Sequence, residues 1–217
     1  MISEYISSYE IFSNPSDSKT LIPFLKKTSS QNLEIKNIVA DAGYESILNY
    51  EYLEKMNYTP YIKPIYFEKA KTRKFKNDFN RVENLIYNHP ENKLFRKDGL
   101  ELEFLYSNKN NTVQYFWNPK TNKKIKYNVK FRILSNKSKE NVSSDCGKQL
   151  RMNRSIQVES AFAVLKENMK LRKLKVRSKK SVLREICLFC IAYNFNRYLN
   201  RNINNRLGTT LHSLKVA

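Results

Sequence analysis

Two acidic residues stand in settings that suit chemistry. Asp41 ends a short apolar run, Ile35-Lys36-Asn37-Ile38-Val39-Ala40, and opens Asp41-Ala42-Gly43-Tyr44. An acid at the C-terminal end of a strand in an open α/β sheet lies where such sheets bind ligands. Gly43 permits a tight turn or a close backbone approach, and a helix starting a few residues on brings the positive end of its dipole. The plainer reading is that Asp41 only caps the following turn. Glu159 lies in Arg154-Ser155-Ile156-Gln157-Val158-Glu159-Ser160-Ala161-Phe162. On a continuous helix, at about 100° per residue, Lys166, Lys170 and Lys173 fall within roughly 40° of Glu159. One acid then heads a stripe of lysines. An ordinary solvated face with Glu–Lys pairs is the plain reading. The chemical one is a phosphodiester site, where the carboxylate holds a metal at the scissile phosphate and the lysines hold flanking phosphates.

Other reactive side chains are few. Cys187 and Cys190 have the C-x-x-C spacing, but a metal site needs about four ligands, and beyond these two the chain offers Cys146, His89 and His212. Both cysteines lie in an apolar helical run and read as core residues. His89 and His212 read as surface residues. Trp117, in Tyr115-Phe116-Trp117, either packs in a local β core or stacks on an unpaired base.

Charge narrows the partner. Forty Lys and Arg against twenty Asp and Glu give a net +20. Such an excess favours a polyanion, because each neutralised phosphate releases condensed counterions. The local maximum runs from Lys166 to Arg201, with eleven basic and two acidic residues. Composition does not choose between DNA and RNA. Three cysteines form no closed disulfide framework, which suggests a reducing compartment. With no membrane-length apolar run and no signal-peptide pattern at Met1, the expectation is a cytoplasmic protein without a membrane partner.

The elements that must position these residues follow from periodicity. Tyr5 to Phe12 predicts a strand, stopped at Ser13 to Asp17. Lys19 to Lys27 predicts a helix capped by Asp17 or Ser18, Ile35 to Ala40 a strand, Ser46 to Met56 a capped helix, and Tyr58 to Lys63 a strand. That order predicts an α/β layer with its last two strands parallel. Residues 68–148 predict a β-rich basic insertion, with alternating runs at Glu101 to Tyr106, Thr112 to Trp117 and Lys124 to Leu134. Its stretch from Lys120 to Lys139 holds eight basic residues and no acid, a surface strip. Residues 149–202 predict helices: Val158, Phe162, Leu165 and Met169 mark a buried face, and Val182 to Leu199, apolar nearly all round, predicts a largely buried helix. Residues 203–217 read as a polar tail.

Together these segments resemble the DDE transposases of bacterial insertion sequences, which have a ribonuclease-H-like catalytic core. Asn14 to Pro23, Val39 to Tyr44 leading into Asn49 to Leu53, Tyr61 to Pro64, Arg154 to Lys166, and Ala192-Tyr193-Asn194 carry the likeness, while 68–145 matches weakly. The resemblance implies an α/β fold: a partial ribonuclease-H-like mixed sheet flanked by helices. Residues 1–67 form its first part and 149–202 its second, with the insertion between the strand of the second catalytic Asp and the helix of the catalytic Glu. It implies that Asp41 is that Asp, Glu159 that Glu, and both metal ligands. Lys166 becomes the lysine two turns on that contacts DNA, and Arg154, rather than Arg151, the upstream arginine. Lys170, Lys173 and Trp117 join the expected DNA contacts.

The implied activity is metal-dependent phosphoryl transfer at insertion-sequence ends: binding, strand cleavage and strand transfer. The cofactor is Mg²⁺ in a two-metal site, the partner double-stranded DNA at transposon ends, with a possible homodimer on that DNA. The family's first Asp has no counterpart here; Asp17 lies in a turn and does not match it. The two-metal site is therefore expected to be incomplete and the chain inactive alone. A non-catalytic DNA-binding remnant and an RNA-binding protein are the rival readings.

Overall fold

The computed structural model describes residues 5–29 and 35–208. They form two compact units: the chain up to Val39 together with residues from Asn141 onward, and Ala40–Glu140.

In the second unit, a small α/β element precedes a large antiparallel sheet. Strand β1 (Asn37–Ala40), at whose end the unit begins, and β2 (Thr59–Ile62) make a two-stranded sheet. Between them lies helix α2 (Ile47–Lys55), whose predicted cap Ser46 accepts from the Asn49 N–H. After the short α3 (Arg73–Lys76) come β3 (Ile86–Asn88), β4 (Lys93–Phe95), β5 (Glu101–Ser107), β6 (Val113–Asn118) and β7 (Lys123–Asn128). They form one five-stranded sheet in sequential order, each neighbour antiparallel. Short turns at Asp98-Gly99, Asn108 to Asn111 and Asn118-Pro119 impose that order, and Gly99 takes the φ of 83° that its turn needs. Leu85, Leu94, Leu102, Phe116, Ile125 and Tyr127 fill the core on one face.

The alternating run expected from Lys124 to Leu134 is corrected at its midpoint. The strand ends at Asn128, whose side chain accepts from the Phe131 N–H at 2.9 Å. That cap starts helix α4 (Val129–Ser143), so the β-rich stretch closes with a helix. Along α4, Leu134, Ser135, Ser138 and Val142 are buried. The Ser138 hydroxyl accepts from the Ile62 N–H at 3.0 Å and donates to the Ile62 carbonyl at 2.9 Å, doing for β2 what a further strand would do.

The first unit is helical. Helix α1 (Leu21–Ser29) follows a 3₁₀ turn at Asp17–Lys19 and buries Leu21, Leu25 and Thr28 along one face. Helix α5 (Asp145–Ala163) starts at Ser144, which accepts from the Gly147 N–H, and runs into a π-helical turn at Val164–Asn168. Helix α6 (Lys179–Ile203) closes the described chain. The tail expected beyond it, and His212, lie largely outside the described residues.

Three expectations fail in this unit. Tyr5 to Phe12 is not a strand: it lies along α6, where the Asn194 amide accepts from the Ile6 N–H at 2.8 Å and donates to the Ile6 carbonyl at 2.9 Å. A side chain here satisfies the backbone that a neighbouring strand would have paired. Phe162 is not buried but 54% exposed, while Leu165 is buried; the π turn between them widens the helix and shifts its phase. Helix α6 buries Cys190 and Tyr193, yet Leu188, Ile191 and Phe195 are exposed. Burial all round needs neighbours on every side, and the exposed residues show that α6 lacks them.

Candidate functional site

Asp41 follows the last residue of β1, as expected, and is exposed. Its backbone carbonyl accepts from the Tyr44 N–H at 3.0 Å, closing the 3₁₀ turn Ala42–Tyr44. Its carboxylate does not cap that turn, so the capping role is not what occupies the side chain. The neighbouring acid, Glu45, is the one that holds the local structure together. One carboxylate oxygen accepts from Ser135 of α4 at 2.7 Å and from the Tyr50 hydroxyl at 3.4 Å, and the other from the Ile65 N–H at 2.7 Å. Hydrogen bonds to an ionised acceptor are each worth about 1.5–3 kcal/mol. Glu45 thus ties α2, α4 and the segment after β2 to the turn that Asp41 opens. Burial, with the Glu45 charge beside it, pushes the Tyr50 hydroxyl well above the usual tyrosine range, so this tyrosine stays a neutral donor. Sequence reasoning missed Glu45, since two of its partners lie 20 and 90 residues away.

Glu159 sits exposed on α5, where the Ser155 hydroxyl one turn earlier donates to its Oε1 at 2.7 Å. It makes no ion pair with a described residue, so the Glu–Lys face of the plain reading is not what forms. Nor does the lysine stripe. The α-helix stops at Ala163 and the π turn carries Lys166, whose ammonium lies 5.2 Å from the Phe162 ring centroid. Lys170 then takes a φ of 61°, and residues after it are turns. The Met169 N–H bonds back to Val164 and the Leu171 N–H to Leu165, closing the helix end. Lys170 and Lys173 therefore stand on an exposed loop rather than on the Glu159 face. In that loop Arg172 pairs with Glu167, and Glu185 accepts from the Lys175 N–H; Lys170, Lys173 and Arg177 are exposed. Arg154 is half-buried on α5, and Arg151 donates to the Val142 carbonyl at 3.4 Å.

Comparison with known proteins bears on this second helix. Residues 109–199 match the family described as Transposase DDE domain. Over that stretch the chain is similar to the DDE-type transposases. The matched stretch holds β6, β7, α4, α5 and most of α6, and with them Glu159, Arg154, Lys166, Lys170, Lys173 and Trp117; it does not reach Asp41. No curated protein and no solved structure matches the chain. A transposase domain of this type acts in DNA transposition, takes DNA as substrate and uses divalent metal ions in general.

Among the described residues, no group of three or more His, Cys, Asp or Glu side chains stands together as a metal site. Asp41 and Glu159 fall in different compact units. The C-x-x-C pair is not a ligand set either: Cys190 is buried and Cys187 half-buried on α6, and burial, then the neighbouring Cys187, pushes the Cys190 thiol up. His89 is exposed, its ring edge-on to Tyr87. Trp117 is half-buried on β6, on the face opposite Phe116. Among the described residues, no helix is long and apolar enough to cross a membrane.

Proposed function

We propose that this chain binds duplex DNA at the ends of an insertion sequence and, by itself, does not cut it. The match of residues 109–199 to the transposase domain carries this reading, and the net charge of +20 supports it. In this reading Glu159 and Asp41 are the carboxylates of the phosphoryl-transfer chemistry, with Mg²⁺ as the metal of the complete reaction. Ser155 holds Glu159 in one orientation. Lys166, Lys170, Lys173 and Arg154 take phosphates along the strand. Such contacts position a duplex without reading its sequence. Cleavage and strand transfer need three carboxylates acting together, and no group of three or more His, Cys, Asp or Glu stands together among the described residues. A homodimer on paired ends, the ribonuclease-H-like arrangement of the core and a cytoplasmic location belong to the same proposal.

The test is a gel shift and a nicking assay on one sample. Purified chain with Mg²⁺ and a duplex ending in its element's inverted repeats is expected to be retained and uncut. Binding is expected to persist in Glu159→Gln and to fall in Lys166→Ala. Nicking that vanishes in Asp41→Asn overturns the inactive reading. RNA that displaces the duplex at equal concentration overturns the DNA reading.

A further inference from the structure

The five-stranded sheet has a second face, away from its core. Across β5 and β6 the register sets Tyr106 opposite Tyr115 and Glu103 opposite Trp117; across β6 and β7 it sets Lys126 opposite Tyr115 and Lys124 opposite Trp117. Alternate residues of a strand point to opposite sides. Tyr115, Trp117, Lys124 and Lys126 therefore share the side that Phe116 and Ile125 do not use.

Tyr106 reaches this side through an irregularity. Leu102 and Phe104 point to the core side, and strict alternation would send Tyr106 after them. The register shifts between Phe104 and Tyr106. Such a bulge adds a residue, here Leu105, and re-aims the side chain that follows. Tyr106 consequently stands outward, 48% exposed, its ring stacked on Tyr115 with centroids 4.7 Å apart and planes at 27°.

A cation completes the cluster. The Lys124 ammonium donates to the Tyr106 hydroxyl at 2.7 Å and lies 4.8 Å from the Tyr115 centroid and 5.2 Å from that of Tyr106. It pairs with no acid among the described residues. Lys123 and Lys126 on the same strand are exposed. Glu103 is the acid on this face, and Glu101 beside it is paired with Lys93. Partly exposed aromatic rings beside cations that pair with no acid among the described residues complement a polyanion whose flat groups are accessible. In a duplex the base faces are already stacked on one another; in a single strand they are available. Sequence-tolerant stacking with a basic flank is how single strands are held.

We propose that this face is a stacking platform for unpaired nucleotides of single-stranded DNA. Tyr106, with Tyr115 behind it and Trp117 beside it, takes a base, while Lys124 and Lys126 take the adjoining phosphates. The inference rests on the reading that the chain handles DNA, and it names the form of DNA that this face holds.

Trp117 is the chain's single tryptophan, so its fluorescence reports on the face directly. In a titration of the full chain, a short oligothymidylate is expected to quench that emission. Tyr106→Ala is expected to weaken the single strand by roughly 5- to 100-fold, the range for one stacked base, and to leave a blunt duplex of mixed sequence unaffected. Tyr106→Phe keeps the ring and is expected to bind within a few-fold of the parent. Lys124→Met keeps an aliphatic stem beside the rings and is expected to lower single-strand affinity and its salt dependence. Unchanged single-strand affinity in Tyr106→Ala overturns the platform, as does an equal loss for single strand and duplex. If the parent binds duplex but no oligothymidylate, the platform alone fails; if it binds neither, the DNA reading fails with it.

Discussion

Gly147 is the third residue of α5 and is 12 residues from Glu159 along the chain, so it bears on how the Glu159 helix is set. Helix propensity makes Gly147→Ala a stabilising change of up to about 1 kcal/mol. The structure reverses the sign. A Cβ at Gly147 would lie 1.9 Å from the Asn141 carbonyl oxygen, 2.9 Å from the Asn141 carbonyl carbon and 3.0 Å from that of Val142. These are backbone atoms and cannot rotate aside. The Asn141 oxygen is also fixed from the other side, accepting from the Ser144 N–H at 3.3 Å and its hydroxyl at 2.7 Å.

Relieving the overlap means moving the oxygen by more than an ångström, which separates the end of α4 from the start of α5 and opens the Ser144 cap. Overpacking costs about 1–3 kcal/mol and loss of a cap about 1 kcal/mol. Set against the propensity gain, a net loss of about 2 kcal/mol is expected, or roughly 4–8 °C in Tm for a chain of this size. Thermal unfolding followed by circular dichroism reads it. Ser144→Ala, which loses the cap without the overlap, is expected to fall by about half as much. A Tm for Gly147→Ala equal to or above the parent's would refute the close approach and the α4–α5 corner built on it.

Two further outcomes follow from the first unit. Asn194→Leu removes both hydrogen bonds to Ile6, at about 0.5–1.5 kcal/mol each; hydrogen exchange is expected to show the Ile6 amide losing its protection, and an unchanged rate refutes the pairing. Glu10 is held below the usual carboxylate range by its hydrogen bond from Lys27, then by the Ile11 N–H. A depressed folded-state pKa contributes stability above the unfolded value and loses it as pH falls through the folded one, so acid titration from neutral pH is expected to destabilise the parent through that window more than Glu10→Gln. Parallel curves for the two proteins would refute it.

How much was legible in the sequence depended on how local the cause was. Ser46 as a cap, β1 running into Asp41, β2, and the turns at Asp98-Gly99 and Asn118-Pro119 all follow from a few adjacent residues, and the structure has them. The end of β7 was legible in principle, since Asn128 is a good cap, but the alternation of aromatic and charged residues masked it. Gly147 carried a signal too: a glycine inside a helical run points to a close approach.

Other features had no local cause. Tyr5 to Phe12 has strand composition, but a strand exists only with a partner, and Asn194 satisfied Ile6 instead. The lysine stripe assumed a helix continuing past Ala163, and a left-handed Lys170 ended it. Glu45 could not be singled out, because its partners are assembled from three segments. The outward aim of Tyr106 hangs on one bulged residue that inverts the parity of its strand.

The sequence by itself determined the large positive charge, the strand-end acid and the helical acid, and the transposase likeness that joins them. These are properties of residue type and spacing along one chain. The tertiary structure decided that Glu45 ties the turn after β1 to α4, where the lysines stand relative to Glu159, and which side chains close the open edges of short extended segments. Hydrogen-bond satisfaction and helix phase are settled by neighbours distant in sequence, and no periodicity encodes them.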